Sequence, residues 1–318
     1  MRSLIAALAV LAAAPALAQE SAAPIPRAPD GRPDLHGYWF AGFLTPLERP
    51  DGVTGLIVPP DGQAAMIEKL IAEQSEGEVY DPENDANPVP RALLEMDGAL
   101  RSSWLIEPAD GKLPLTALAK AALERDGPKY DDPENRPAPE RCIDGLVNAP
   151  MAASSLMIPL QIVQMPGVMV LAMEDMEPLR IVSLTDPPQR DALRSRGGQS
   201  RGRWGDDTFV IETDSLSISD PGGLTWRGGA FVTTDSRVIE RFRLLSADLL
   251  LYRFTIEDPS LYKAPWLAEY VLKRIASPVY EYACHEGNYA MTNILTAARL
   301  GSHERFHRTL KRETTRPP

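Results

Sequence analysis

From Leu160 onward, apolar and polar residues alternate with a period of two, the spacing that sends successive side chains to opposite faces of a strand. Eight strands are predicted, over 160–165, 168–175, 178–184, 200–204, 207–214, 237–245, 249–257 and 266–275. Met165-Pro166-Gly167, Gly205-Asp206-Asp207 and Ser246-Ala247-Asp248 separate neighbouring strands and read as hairpin turns. Strands in such a series shelter their edges by closing on themselves or by packing as two sheets. The expected fold is mainly β: an eight-stranded antiparallel lipocalin-like barrel, with a β-sandwich as the alternative.

Upstream the period changes. Met66, Ile67, Leu70 and Ile71 in Gln63–Glu73, and Leu115, Leu118, Ala119 and Ala122 in Leu115–Glu124, recur at helical spacing. Each helix leads into an acidic, proline-bearing stretch, Tyr80–Asn84 and Tyr130–Asn135. Those stretches suit turns, or calcium bound through carboxylate and amide oxygens. Eighteen of the thirty prolines fall between Gln19 and Pro150, so the helices interrupt an irregular arm. The organisation expected is 1–18 leader, 19–150 Pro-rich arm with two short helices, 151–280 barrel, and 281–318 C-terminal helix and basic tail.

The leader reading rests on Arg2, an apolar run from Leu4 to Ala14, and Ala16-Leu17-Ala18, the three parts of a secretory signal peptide in order. Cleavage near Ala18 and a periplasmic or secreted protein are expected. No later segment reaches the roughly 20 apolar residues of a membrane span. Cys142 and Cys284 are the only cysteines. Export favours a disulfide between them; the alternative is a nucleophilic thiol at Cys284 beside His285. No C-x2-C pair supports zinc, and His303 and His307 stand four apart without a third ligand nearby.

A formal charge of −11 argues against nucleic acid, which needs a basic surface, and suits a small-molecule partner better. The one basic segment, Arg299–Arg316, reads as a solvated tail or as a dock for an anionic surface. Alternation leaves the inward faces of the barrel open. Val238, Glu240, Phe242 and Leu244 oppose Arg237, Ile239, Arg241 and Arg243, and both faces carry charge. If Glu174, Arg180, Glu212 and Arg241 point inward they form a paired network, because unpaired charges there would cost several kcal/mol or more.

Chemistry concentrates in Tyr280–Asn288, which joins a cysteine, a histidine and acidic side chains. The glycine doublets do not form a phosphate loop, and no G-x-S-x-G elbow or flavin, haem or nicotinamide motif occurs. An enzyme of this sequence is expected to work without a cofactor, by acid–base chemistry in a pocket. His285 would be the general acid or base, Glu286 its orienting partner or replacement, and Arg241 and Tyr252 the holders of a phenolate or carboxylate. Trp204, Trp226 and Trp266 would line the mouth. The reaction expected is that of a cofactor-independent lyase or isomerase on a small aromatic ligand, such as formaldehyde loss from a lignin-derived phenolic dimer. The alternatives are a non-catalytic carrier of a small apolar ligand and, for His285, a structural place beside the disulfide.

Several segments together carry a resemblance. They are Pro33-Asp34-Leu35-His36-Gly37-Tyr38-Trp39, Arg101-Ser102-Ser103, Pro108–Pro114, Arg141-Cys142, Ser200–Thr208, Glu240-Arg241-Phe242, Ile256–Pro259, Pro265-Trp266 and the EYACHEGNY run ending at Tyr289. The chain resembles a widespread, largely uncharacterised group of exported bacterial proteins with a PDLSGxW-type motif near the N-terminus. It departs from many of them in having His36 where Ser is usual and Thr233-Thr234-Asp235-Ser236 where a histidine-containing segment is frequent. The resemblance implies an exported β-rich protein and does not imply a reaction.

Overall fold

The computed structural model describes residues 24–75, 92–125, 141–143, 147–151, 158–175, 179–185, 194–217, 225–227, 230–286, 289, 292–293, 295–297 and 299–300. In chain order the strands are β1 (Gly37–Phe40), β2 (Glu95–Met96), β3 (Ala99–Leu100), β4 (Leu105–Glu107), β5 (Leu160–Met165), β6 (Val168–Met173), β7 (Leu179–Ser183), β8 (Gln199–Gly205), β9 (Thr208–Asp214), β10 (Thr225–Arg227), β11 (Ala230–Val232), β12 (Arg237–Ser246), β13 (Leu249–Glu257) and β14 (Trp266–Ile275). Helices α1 (Gln63–Ser75) and α2 (Ala117–Arg125) lie in the arm, and the described residues from 289 to 300 are helical. The leader, both acidic stretches, His303 and His307 lie outside the described residues.

All eight predicted strands form, and they close into a barrel. The closed wall has nine strands, in the order β1-β5-β6-β7-β8-β9-β12-β13-β14 and back to β1. The additional stave is β1, which comes from the arm and pairs antiparallel with both β5 and β14. A second correction concerns direction: β7 and β8 are parallel, through Ser183 and Arg201. Two strands paired in parallel cannot be joined by a hairpin. β4 pairs with β14 outside the closed wall, and β2–β3 and β10–β11 are small separate hairpins.

Register fixes the inward face. Trp39, Leu160, Leu171, Val182, Phe209, Ile211, Val238, Phe242, Leu250, Phe254, Trp266 and Leu272 are all buried on alternating positions of paired strands. Gly202 gives up its side chain to this interior, since a Cβ there would lie 2.5 Å from Phe209 and 2.9 Å from Val182. The arm shares the same core through Leu35, Leu47, Trp104, Leu105 and Leu113. Phe43 and Trp104 pack on Tyr270 at 5.7 and 5.6 Å between ring centres. Burial of this much apolar surface is the main stabilising contribution. A smaller core joins Met66 and Leu70 of α1 to Leu44, Val58 and Leu93. In α2, Ala119 is buried but Leu118 is 72% exposed, so the predicted apolar stripe there is narrower than its spacing implies.

The first described residues of the arm are tied to the barrel end that carries the β5–β6, β8–β9 and β12–β13 turns. Arg27 holds Asp207 with two hydrogen bonds of 2.6 and 2.8 Å, and the Leu35 N–H donates to Gln164 at 3.0 Å. Arg274 lies 4.2 Å over the Trp39 ring, an aromatic face that attracts cations. It also donates to the carbonyls of His36 and Ala247 at 2.7 and 2.8 Å. Gly37 sits at φ +133 with the Arg274 guanidinium where a Cβ would project. The glycine of the Asp34–Trp39 motif is therefore required by both conformation and space, and the motif works as a latch.

Candidate ligand-binding site in the barrel lumen

A charged pair interrupts the apolar interior. In β7 the alternation is inverted: Leu179 and Ile181 face solvent at 57% and 66% exposure, while Arg180 points inward. Across the lumen, Glu240 of β12 lies on the same face as Val238, Phe242 and Leu244 and is fully buried. Arg180 grips both Glu240 oxygens, through Nη1 to Oε1 at 3.0 Å and through Nη2 to Oε2. Its remaining donors reach Ser200 Oγ at 2.9 Å, Thr213 Oγ1 at 2.7 Å and the Val147 carbonyl at 3.2 Å. All five N–H groups of a guanidinium are thus used, which is what a buried cation needs.

The network extends to two tyrosines. Tyr252 of β13 donates to Glu240 Oε1 at 2.7 Å and accepts from the Met151 N–H at 2.8 Å. Tyr270 of β14 donates to the Met151 carbonyl at 3.2 Å. Arg180, Ser200, Thr213, Glu240, Tyr252 and Tyr270 come one each from six neighbouring staves. Together they form a polar belt inside an apolar barrel. Burial first, and then the Glu240 carboxylate, push both tyrosines well above the ordinary phenol range, so they serve as neutral hydrogen-bonding groups.

Residues 147–151 thread into this belt, with Val147, Ala149 and Met151 fully buried. A disulfide between Cys142 and Cys284 anchors the chain just before them. Tyr280 N donates to Glu174 at 3.1 Å, which ties the segment after β14 to the end of β6.

The sequence-derived site residues distribute as follows. Arg180 and Tyr252 meet at Glu240. Glu212 lies on the outer wall between Arg203 at 3.1 Å and Arg237 at 2.8 Å, where hydrogen bonding from Arg237 holds its carboxyl below the usual range. Arg241 also lies on the outer face, opposite in direction to Glu240 and register-paired with Arg253. His285 and Glu286 are exposed on the chain after β14. Trp204 packs on Phe209 at 5.1 Å near the β8–β9 turn. Trp266 is buried against Phe254 and Tyr262, each at 5.5 Å, at the other end. Trp226 lies in β10, and its side chain is outside the described residues.

Glu240, Tyr270, Ser200, Thr213 and Met151 complete the belt without having been singled out. The signal for Glu240 was its own face of β12, where its neighbours Val238, Phe242 and Leu244 are all apolar while the opposite face carries three arginines. Among the described residues, no group of three or more His, Cys, Asp or Glu side chains could hold a metal ion, and no helix is long and apolar enough to cross a membrane. No protein-family model, curated protein or solved structure matches the chain.

Proposed function

We propose that this chain is an exported carrier that takes a small apolar ligand into the barrel, with the ligand's polar head at the Arg180–Glu240–Tyr252–Tyr270 belt. The observation that carries the reading is the belt itself: a cluster of oriented polar groups inside an apolar, aromatic lumen. Small barrels hold one small ligand in this way, and a few placed polar groups among apolar walls fix its orientation. The leader pattern and the Cys142–Cys284 bond fit a periplasmic or secreted protein. Membership of the exported PDLSGxW-type group belongs to the same proposal.

The lyase reading receives less support from the geometry. Its four groups do not converge: Tyr252 faces inward, Arg241 outward, and His285 and Glu286 stand on exposed chain. Incubation of the mature protein with a mixture of plant phenolics and other apolar small molecules, followed by native mass spectrometry, separates the two. A bound, chemically unchanged compound supports the carrier. New products that disappear in His285→Ala would establish the lyase instead, and finding neither a bound compound nor a new product would remove both readings.

A further inference from the structure

The hydrogen-bonding roles around Met151 are set by the belt. Glu240 is held by two N–H groups of Arg180 and takes the Tyr252 O–H at 2.7 Å. With that proton committed, the Tyr252 oxygen offers the lumen only lone pairs, and one accepts the Met151 N–H at 2.8 Å. Tyr270, its ring centre 4.9 Å from that of Tyr252, donates to the carbonyl of the same residue at 3.2 Å. The two phenols therefore read an N–H and a C=O on either side of one Cα. Arg180 Nη1 reads a second carbonyl, that of Val147, at 3.2 Å. An acceptor and a donor set one Cα apart match an amino-acyl unit, whereas a hydrocarbon would leave both unpaired and a simple ether would leave the Tyr252 acceptor without a donor.

We propose that the belt is a recognition site for an amino-acyl unit, as found in a short peptide or an N-acyl amino-acid amide, and that the chain's own Met151 occupies it. The inference rests on the carrier reading and names the class of ligand. A tethered occupant acts at an effective concentration on the order of millimolar, so an external ligand binds the native protein weakly. Affinity rises when the resident segment is weakened, because the vacant state becomes more populated. Met151 is fully buried, so removing its side chain weakens the resident and leaves space for the same side chain on a ligand.

The test is calorimetric titration of N-acetyl-L-methionine N-methylamide into full-length wild type, Met151→Gly and Met151→Gly/Tyr270→Phe. Far-UV circular dichroism confirms each fold, and Met151→Ala replaces Met151→Gly if the latter does not fold. The probe is expected to bind Met151→Gly at least about tenfold more tightly than wild type. Tyr270→Phe then weakens it by about fivefold. A probe methylated on the methionine nitrogen, which lacks the N–H read by Tyr252, loses about tenfold or more. Equal affinity for the two probes, or no binding to any variant, overturns the assignment. If the amide probes fail while wild type still retains an apolar compound from the phenolic mixture, this inference falls and the carrier reading stands; if both fail, the carrier reading falls as well.

Discussion

Arg180 and Glu240 form a two-pronged ion pair inside the barrel, with 4% and 0% of their surfaces exposed. Removing one partner leaves a buried charge uncompensated, whereas removing both leaves a polar pocket. Arg180→Met and Glu240→Met are each expected to lower unfolding free energy by about 3–5 kcal/mol. The double variant should lose less than the sum of the two. Urea denaturation of the four proteins measures this, and simple additivity would show that the pair is not coupled.

The disulfide joins residues 142 positions apart, a long loop whose closure restricts the unfolded chain. Cys142→Ser/Cys284→Ser should lose about 2–4 kcal/mol. Thiol titration of the denatured, unreduced wild type should find no free thiol. A measurable thiol would contradict the pairing.

Asp258, just after β13, accepts hydrogen bonds from the hydroxyls of Thr233, Ser236 and Ser260, each at 2.6 Å, and from the Ser260 N–H at 3.0 Å. Burial acts to raise its pKa, but these bonds outweigh it and hold the carboxyl below the usual range. A depressed folded-state pKa contributes stability that is present above the unfolded value, about 4, and is lost as pH falls through the folded value. Wild type should therefore lose stability as pH drops below about 4, and Asp258→Asn should lose less over the same range. Identical acid limbs in the two proteins would contradict this role.

Gly37 is expected to tolerate no side chain. Gly37→Ala brings a Cβ against the Arg274 guanidinium at a left-handed backbone position and should cost about 1–3 kcal/mol. Arg274→Ala in the same background should recover part of the loss, because the steric conflict ends while the backbone strain remains. Thermal unfolding monitored by tryptophan fluorescence would report it, since Arg274 lies over Trp39. No recovery would place the whole cost in the backbone.

How much of this was legible depended on the range of the interactions. β5 to β9 and β12 to β14 could be read from the chain because their two-residue alternation and short turns are local signals. β1 could not: Gly37–Phe40 lies in a Pro-rich arm, is only four residues long, and becomes a strand by pairing with residues more than a hundred positions away. The parallel step from β7 to β8, paired at Ser183 and Arg201, was hidden for another reason: alternation gives the two faces of a strand and not its direction. Two of the six belt residues were readable, since Arg180 and Tyr252 were singled out from chemical type. Their meeting point at Glu240 was obscured because β7 exposes Leu179 and Ile181 while burying its arginine, against the rule that apolar residues face the core.

Titration of the compound retained from the small-molecule mixture into wild type, Tyr252→Phe and His285→Ala decides whether the lumen is the binding site. Tyr252→Phe removes the hydroxyl between Glu240 and Met151 and keeps the ring. Binding is expected to be unchanged in His285→Ala and altered by about fivefold or more in Tyr252→Phe, with no turnover in any of the three. Equal affinity in Tyr252→Phe and wild type, or affinity lost only in His285→Ala, would place the ligand outside the barrel and contradict the proposal.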